Sequence, residues 1–211
     1  NTITVNGAAT IQATPDITLL SASISENADT APLAISALAA DVASIIKILT
    51  SNGLTSSNYQ SSSFNINPNT SYANGVSEVV GQIASESFQI TVPNANGVNL
   101  GKLIDALASV NGIVLNGLTF DIANKTSVYQ QARKQAFQNA QTKAKDYGAA
   151  LNLTVGSLLN VIDSFSAPAV YQPRREVMYS TSAMKQISTD TQVNVGTISI
   201  SYNVQSVYAL N

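Results

Sequence analysis

The chain contains no cysteine, no histidine and no tryptophan. Without thiols there is no disulfide framework and no thiolate nucleophile. Without imidazole the commonest general base is missing. The two absences together remove the usual protein ligands of zinc, copper and haem iron. Charge is scarce as well: Lys, Arg, Asp and Glu make up 10% of the residues, against roughly a quarter in an ordinary globular chain. The formal net charge is -2, so the field of the whole molecule does not favour a polyanion such as nucleic acid. No uninterrupted apolar run reaches the ~18 residues of a bilayer span.

Ser, Thr, Asn and Gln fill the space that charges normally occupy. The hydrophobic fraction is 45% over 211 residues, enough to bury a real core. The length fits one domain of residues 1–211, with a division into two lobes of about 1–95 and 96–211 as the alternative. The opening NTITVNG already alternates like a strand and has no signal-peptide apolar region. Two readings fit, a cytoplasmic chain or a mature exported one. The neutral polar composition favours export.

Thr2 to Ala13 alternates and is interrupted at Asn6-Gly7, which reads as a strand with a bulge or tight bend. Thr14-Pro15-Asp16 is a turn, and Ile17 to Ser25 completes an expected hairpin. Asp29 or Thr30 caps a helix over Ala31 to Thr50, with Pro32 in its first turn and Ser51-Asn52-Gly53 as its end. Tyr59 to Ile66 and Val79 to Val92 read as strands joined by the polar stretch Asn67 to Gly75. A second helix covers Asn96 to Val110, and a strand Ile113 to Ile122. A long helix follows, capped by Asn124, then strands over Gly156 to Ser164 and Thr191 to Tyr208. The order is β-β-α-β-β-α-β-α-β-β, an α+β fold of mainly antiparallel sheet with three helices packed on it.

The stretch QQARKQAFQNAQTKAKDYGAAL, Gln130 to Leu151, carries four of the ten basic residues. On a helical wheel Tyr129, Ala132, Ala136, Ala140, Ala144, Tyr147 and Leu151 share one arc. That is a buried stripe with small residues at its centre, suited to lying close against a sheet. The cations do not gather opposite it, as a DNA-binding or membrane helix requires. Arg133 projects from within the stripe. It either snorkels to the rim or pairs with a carboxylate across an interface.

The run A-x3-A-x3-A-x3-A in this stretch, followed by YGAALNLTVGSLLNVIDS, resembles the closing helix and strand of the SIMPL family, which includes the periplasmic immunogenic proteins of bacteria. ITVNGAATIQATPDITLLSASISENADTAPLA is similar to that family's opening strands and first helix start. LTSNGLTSSNYQSSSFNINP and VGTISISYNVQSVYAL match two further segments in order. The resemblance implies an α+β fold, export to the periplasm or cell surface, and homo-oligomeric assembly. The family has no established catalytic residues, so none is carried over.

The residues offer little chemistry of their own. Asp16 in the Pro-Asp turn reads as a turn carboxylate. Glu26, Asp41, Glu78, Glu86, Asp105, Asp121 and Asp163 are scattered, with no EF-hand or glycosidase pairing. Asn6-Gly7-Ala8 is a lone glycine turn, not a nucleotide fingerprint. Three N-x-[ST] sequons occur, at Asn69, Asn124 and Asn152. Asn69, in an expected loop, is the candidate for glycosylation, and Asn124 reads as a helix cap. Phe165 to Asp190 has no clear period and holds Tyr171, Arg174, Arg175, Met178 and Tyr179, residue types enriched at interfaces. It is either a long surface loop or an intersubunit arm. Long strands also offer strand addition to a neighbour, with either Asn1 to Ala13, where Ile3 and Val5 are candidate contacts, or the final strand as donor.

These readings lead to an exported, non-enzymatic structural protein. It is expected to assemble with itself into a homo-oligomer or extracellular filament at the cell envelope. Its location is outside the cell or on its surface, with the periplasm as the alternative. No cofactor, no metal and no nucleic-acid partner are expected. The alternative function is a periplasmic binding or stress-protection module acting as a small oligomer.

Overall fold

The computed structural model describes residues 1–73, 75–94, 98–165, 191, 193 and 195–211. Its elements are β1 (Thr2–Ala13), β2 (Ile17–Ala28), α1 (Ala31–Ser51), a 3-10 turn (Ser56–Asn58), β3 (Tyr59–Ala73), β4 (Val76–Pro93), α2 (Leu100–Ala108), β5 (Ile113–Asp121), α3 (Lys125–Ala150), β6 (Val155–Phe165) and β7 (Ile198–Leu210). The α+β class and the element order are as the sequence implied. The chain divides into two compact units that interleave along it. Unit 1 holds β1, α3, β6 and β7. Unit 2 holds residues 16–121 together with Thr191 and Val193.

Unit 1 is a three-stranded antiparallel sheet, ordered β1-β7-β6, under α3. Ile3, Val5, Gly7, Ala9 and Ile11 of β1 face the helix, as do Ile198, Ile200, Tyr202 and Val204 of β7. Bulky residues come from the sheet and small ones from the helix. Ala132, Ala136, Ala140, Ala144 and Gly148 form a buried ridge with a spacing of four. Tyr147 and Leu151, placed on this stripe by the wheel, are 56% and 61% exposed instead. The actual ridge follows the i, i+4 row, which slants across the helix axis and so drifts from Tyr147 to Gly148.

No bulge interrupts β1: its register with β7 runs unbroken from Thr2↔Ala209 to Ala13↔Ile198. Gly7 is there for space. A Cβ at this position would lie 2.0 Å from the Ala136 carbonyl oxygen and 2.8 Å from the Ala140 Cβ. The helix backbone therefore rests almost on the strand.

Unit 2 is a four-stranded antiparallel sheet, ordered β3-β4-β2-β5, with α1 and α2 on one face. Leu20, Ile24, Phe88, Ile90 and Val92 of the sheet meet Leu38, Ile45 and Leu49 of α1 and Leu103 and Leu107 of α2. α1 ends in a Schellman turn, as its glycine signal implied. Gly53 has φ +81, the Leu54 N–H donates to the Leu49 carbonyl at 3.1 Å, and Leu54 is buried. By length and composition α1 is also apolar enough to cross a bilayer, which uninterrupted runs did not suggest. Its row Ala34, Leu38, Ile45 and Leu49 is that of a helix packed on a sheet.

β1 and β2 are not a hairpin. β1 pairs with β7, whereas β2 pairs with β4 and β5. The Asp16 N–H donates to the Asp121 carbonyl at 3.1 Å, and the Asp16 carbonyl accepts from the Asn94 N–H at 2.8 Å. The Pro-Asp segment is thus tied to the ends of β4 and β5. Nor is 67–73 a loop: β3 runs as a strand to Ala73, and β4 starts at Val76. β7 starts at Ile198 rather than Thr191.

The close approach at Gly7 makes a direct prediction. Gly7→Ala is expected to lower stability by more than about 2 kcal/mol in denaturant unfolding, because helix and strand must separate. Gly117→Ala, where a Cβ meets nothing within 4 Å, is the control and is expected to be near neutral.

Candidate functional site

Three places bring functional side chains together. In unit 1, α3 positions Arg133, β7 positions Tyr202 and β6 positions Asp163. The Arg133 Nε–H donates to the Tyr202 hydroxyl at 2.8 Å and lies 3.6 Å from Asp163 Oδ2. The Tyr202 hydroxyl donates to the same carboxylate oxygen. The Arg133 guanidinium sits 5.4 Å from the Tyr202 ring centroid. Tyr202 is only 2% exposed. Burial pushes its phenol above the ordinary range, and donation to Asp163 pushes the same way against the opposing pull of Arg133. At neutral pH this is a cation, an anion and a neutral hydroxyl that satisfy one another. Such an arrangement fastens a helix to two strands. Arg133 thus pairs with a carboxylate of its own unit.

On the same helix, the Asn139 Nδ2–H donates to the Ala8 carbonyl at 2.7 Å and Lys143 Nζ to the Asn6 carbonyl at 3.0 Å. Residues four apart on α3 thus reach carbonyls two apart on β1, an edge strand. Two helix side chains, one of them a cation, are engaged with β1. Ile3 and Val5 lie on the α3-facing side of this strand and belong to the core of unit 1.

In unit 2, β4 extends past its partner β2. The β2 register ends at Ala28↔Gln82, while β3 and β4 continue to pair as far as Ala73↔Val76. Beyond Gln82 they form a two-stranded arm. Tyr72 and Val76 are 76% and 66% exposed there, and Val79 and Val80 are exposed on opposite faces. Asn69, half-buried, lies in this arm within β3 rather than in a loop. A lone hairpin is marginal in water, and apolar side chains on both faces favour a partner. The sequence reading missed the arm because neither of its faces is buried, so it carries no strand period.

The remaining candidates are dispersed. Asn124 caps α3, its Oδ1 accepting from the Thr126 N–H at 3.1 Å. Asn152 is exposed at φ +55, in the turn that ends α3. Burial, then hydrogen bonding to Asp41 and its charge, pushes the Glu26 carboxyl above the usual range, a pair that joins β2 to α1. Asp105 accepts from the Thr191 N–H at 3.0 Å and from its hydroxyl, which holds its carboxyl below the usual range. Among the described residues no three acidic side chains gather into a metal site. Tyr171, Arg174, Arg175, Met178 and Tyr179 lie outside the described residues.

Architecture and surfaces together define a two-unit α+β protein with two antiparallel sheets and a long exposed hairpin. A family model described as SIMPL, protein of unknown function (DUF541), matches residues 3–208. The chain belongs to this family. It is similar to the 26 kDa periplasmic immunogenic protein of Brucella melitensis, 27% identical over 96% of this chain and 81% of the relative. The protein of the same name from Brucella abortus is 26% identical over the same shares. An uncharacterized protein YggE of Edwardsiella ictaluri is 24% identical over 99% of this chain and 87% of that protein.

The Tyr202 cluster gives a pH prediction. A folded-state pKa above the unfolded value of about 10 means that the folded protein holds this proton more tightly. The contribution is complete below pH ~10 and is lost as pH rises through the folded value. Tyr202→Phe is expected to cost about 1 kcal/mol at neutral pH and to flatten the alkaline fall in stability. Urea unfolding across the alkaline range checks both.

Proposed function

We propose that this protein is exported to a periplasm-like space at the cell envelope and works there by binding rather than by catalysis. The observation that carries the reading is the near-complete match to relatives named as periplasmic proteins, at 96% of this chain. A charged fraction of 10% with no His and no Cys supports the non-enzymatic part. So does the Arg133–Tyr202–Asp163 cluster, in which Arg133 Nε, the Tyr202 hydroxyl and Asp163 Oδ2 engage one another. Fractionation of cells expressing the complete gene product tests it. Recovery with the envelope or osmotic-shock fraction is expected, and recovery with the cytosol overturns it.

A second reading, self-assembly into a homo-oligomer or filament, is favoured by the β3–β4 arm. Its exposed Tyr72, Val76, Val79 and Val80 offer apolar area that a second copy would cover. Charge in the arm is confined to Glu78, so like-charge repulsion between copies is small. Light scattering with negative-stain microscopy at near-neutral pH separates the outcomes. Filaments or closed rings that dissociate in a Tyr72→Ser, Val79→Thr, Val80→Thr variant with unchanged circular dichroism support assembly through the arm. A wild-type monomer at all concentrations rules it out. Full assembly after deletion of residues 1–5 excludes β1 as an exchanged strand.

A further inference from the structure

In unit 2 the helices cover one face of the four-stranded sheet, and the other face is built differently. Register places Gln60, Gln89 and Ser21 side by side across β3, β4 and β2, and Ser63, Ser87 and Ser23 in the next row. Both rows consist of neutral amides and hydroxyls. At the margin of this face, the 3-10 turn and the start of β3 form an open cleft of about 350 Å³.

The cleft is organised before any ligand arrives. Asn58 Oδ1 accepts from the Thr55 N–H at 2.9 Å, and its Nδ2–H donates to the Thr91 carbonyl at 3.3 Å. One side chain thus closes the turn and ties it to β4. The Gln89 Oε1 accepts from the Ser21 hydroxyl at 3.2 Å, which fixes the amide and leaves its Nε2–H donors unused. The Gln60 amide and the hydroxyls of Ser56 and Thr91 line the same cleft and have no partner among the described residues. Among the described residues, no Lys, Arg, Asp or Glu lines it.

These features select a ligand class. A phosphate or carboxylate would find no counter-charge, and an apolar ligand would find no dry wall. Several pre-positioned neutral donors and acceptors match a molecule with many hydroxyls and no net charge. We propose that this cleft binds a neutral saccharide unit. The inference rests on the reading of an exported binding protein and names what it would bind.

The test is titration of the full chain with chitotetraose and, separately, maltotetraose, following the side-chain amides of Gln60 and Gln89 by NMR. Saturable shifts centred on the cleft, with a Kd of about 1 mM for at least one sugar, are expected. The Gln60→Ala, Gln89→Ala double variant, at unchanged melting temperature, is expected to bind roughly tenfold more weakly. Tetragalacturonate is expected not to bind. Tighter binding of the tetrasaccharide than of its monosaccharide identifies a glycan chain as the source, and equal binding identifies a free sugar. Absence of shifts up to ~20 mM, shifts away from the cleft, or full binding by the double variant overturns the assignment. Such a failure in a protein still recovered from the envelope leaves the exported-binding reading standing.

Discussion

Unit 1 depends on the contact of one helix backbone with one strand. Because Gly7 has no side chain, the Ala136–Ala140 turn of α3 settles onto β1 at a distance no Cβ allows. Everything else on that interface follows from the approach. Asn139 and Lys143 are near enough to donate to the Ala8 and Asn6 carbonyls. The ridge of alanines brings α3 close to the sheet, and Arg133 then meets the Tyr202 hydroxyl and ring. A larger residue at any ridge position would act on several hydrogen bonds together. Dense packing of this kind transmits strain, because there is no slack to absorb it.

What could be read from the sequence was what depends on local rules. The element order was legible because caps and stops are local: Gly53 at φ +81 ends α1, and Asn124 caps α3 through its own side chain; the Asn99 cap was not read, and α2 begins at Leu100 rather than Asn96. The α3 stripe was legible at its alanines and failed at its end, where an i, i+4 row parted from the wheel's average and Gly148 replaced Tyr147. Strand pairing was less legible. A Pro-Asp turn looks the same whether it closes a hairpin or carries the chain between two sheets. The purpose of Gly7 could not be read at all, since the atoms that crowd it lie about 130 residues away in α3. The candidate surfaces fared likewise. Gln60, Gln89 and Ser21 become neighbours only through the register of three strands, and the arm carries no period to detect.

Low charge links structure and function. In most proteins, edges and faces of sheets are guarded by lysines and glutamates. Here β3, an edge strand of 15 residues, has no charged residue and relies on Pro68 and two register shifts to break its regularity. The β1 edge is treated differently, with α3 side chains spent on its carbonyls. The two edges therefore differ in how open they are to another strand, β3 being the more open.

The interleaving of the units raises a kinetic problem that the structure itself eases. The first and last strands pair over nearly the whole length of the chain, at Thr2↔Ala209, and closing so large a loop costs entropy before any contact repays it. Unit 2 interrupts that loop, and almost all of it is contiguous, from Asp16 to Asp121. Those two end residues are hydrogen-bonded to each other at 3.1 Å. Once unit 2 folds, its entry and exit points are adjacent, and the effective separation between β1 and α3 falls from more than a hundred residues to a few. The helix whose alanines must find Gly7 is then delivered as if by a short connection. The Asp16–Asp121 pairing therefore shortens the loop that unit 1 must close, although neither residue belongs to that core.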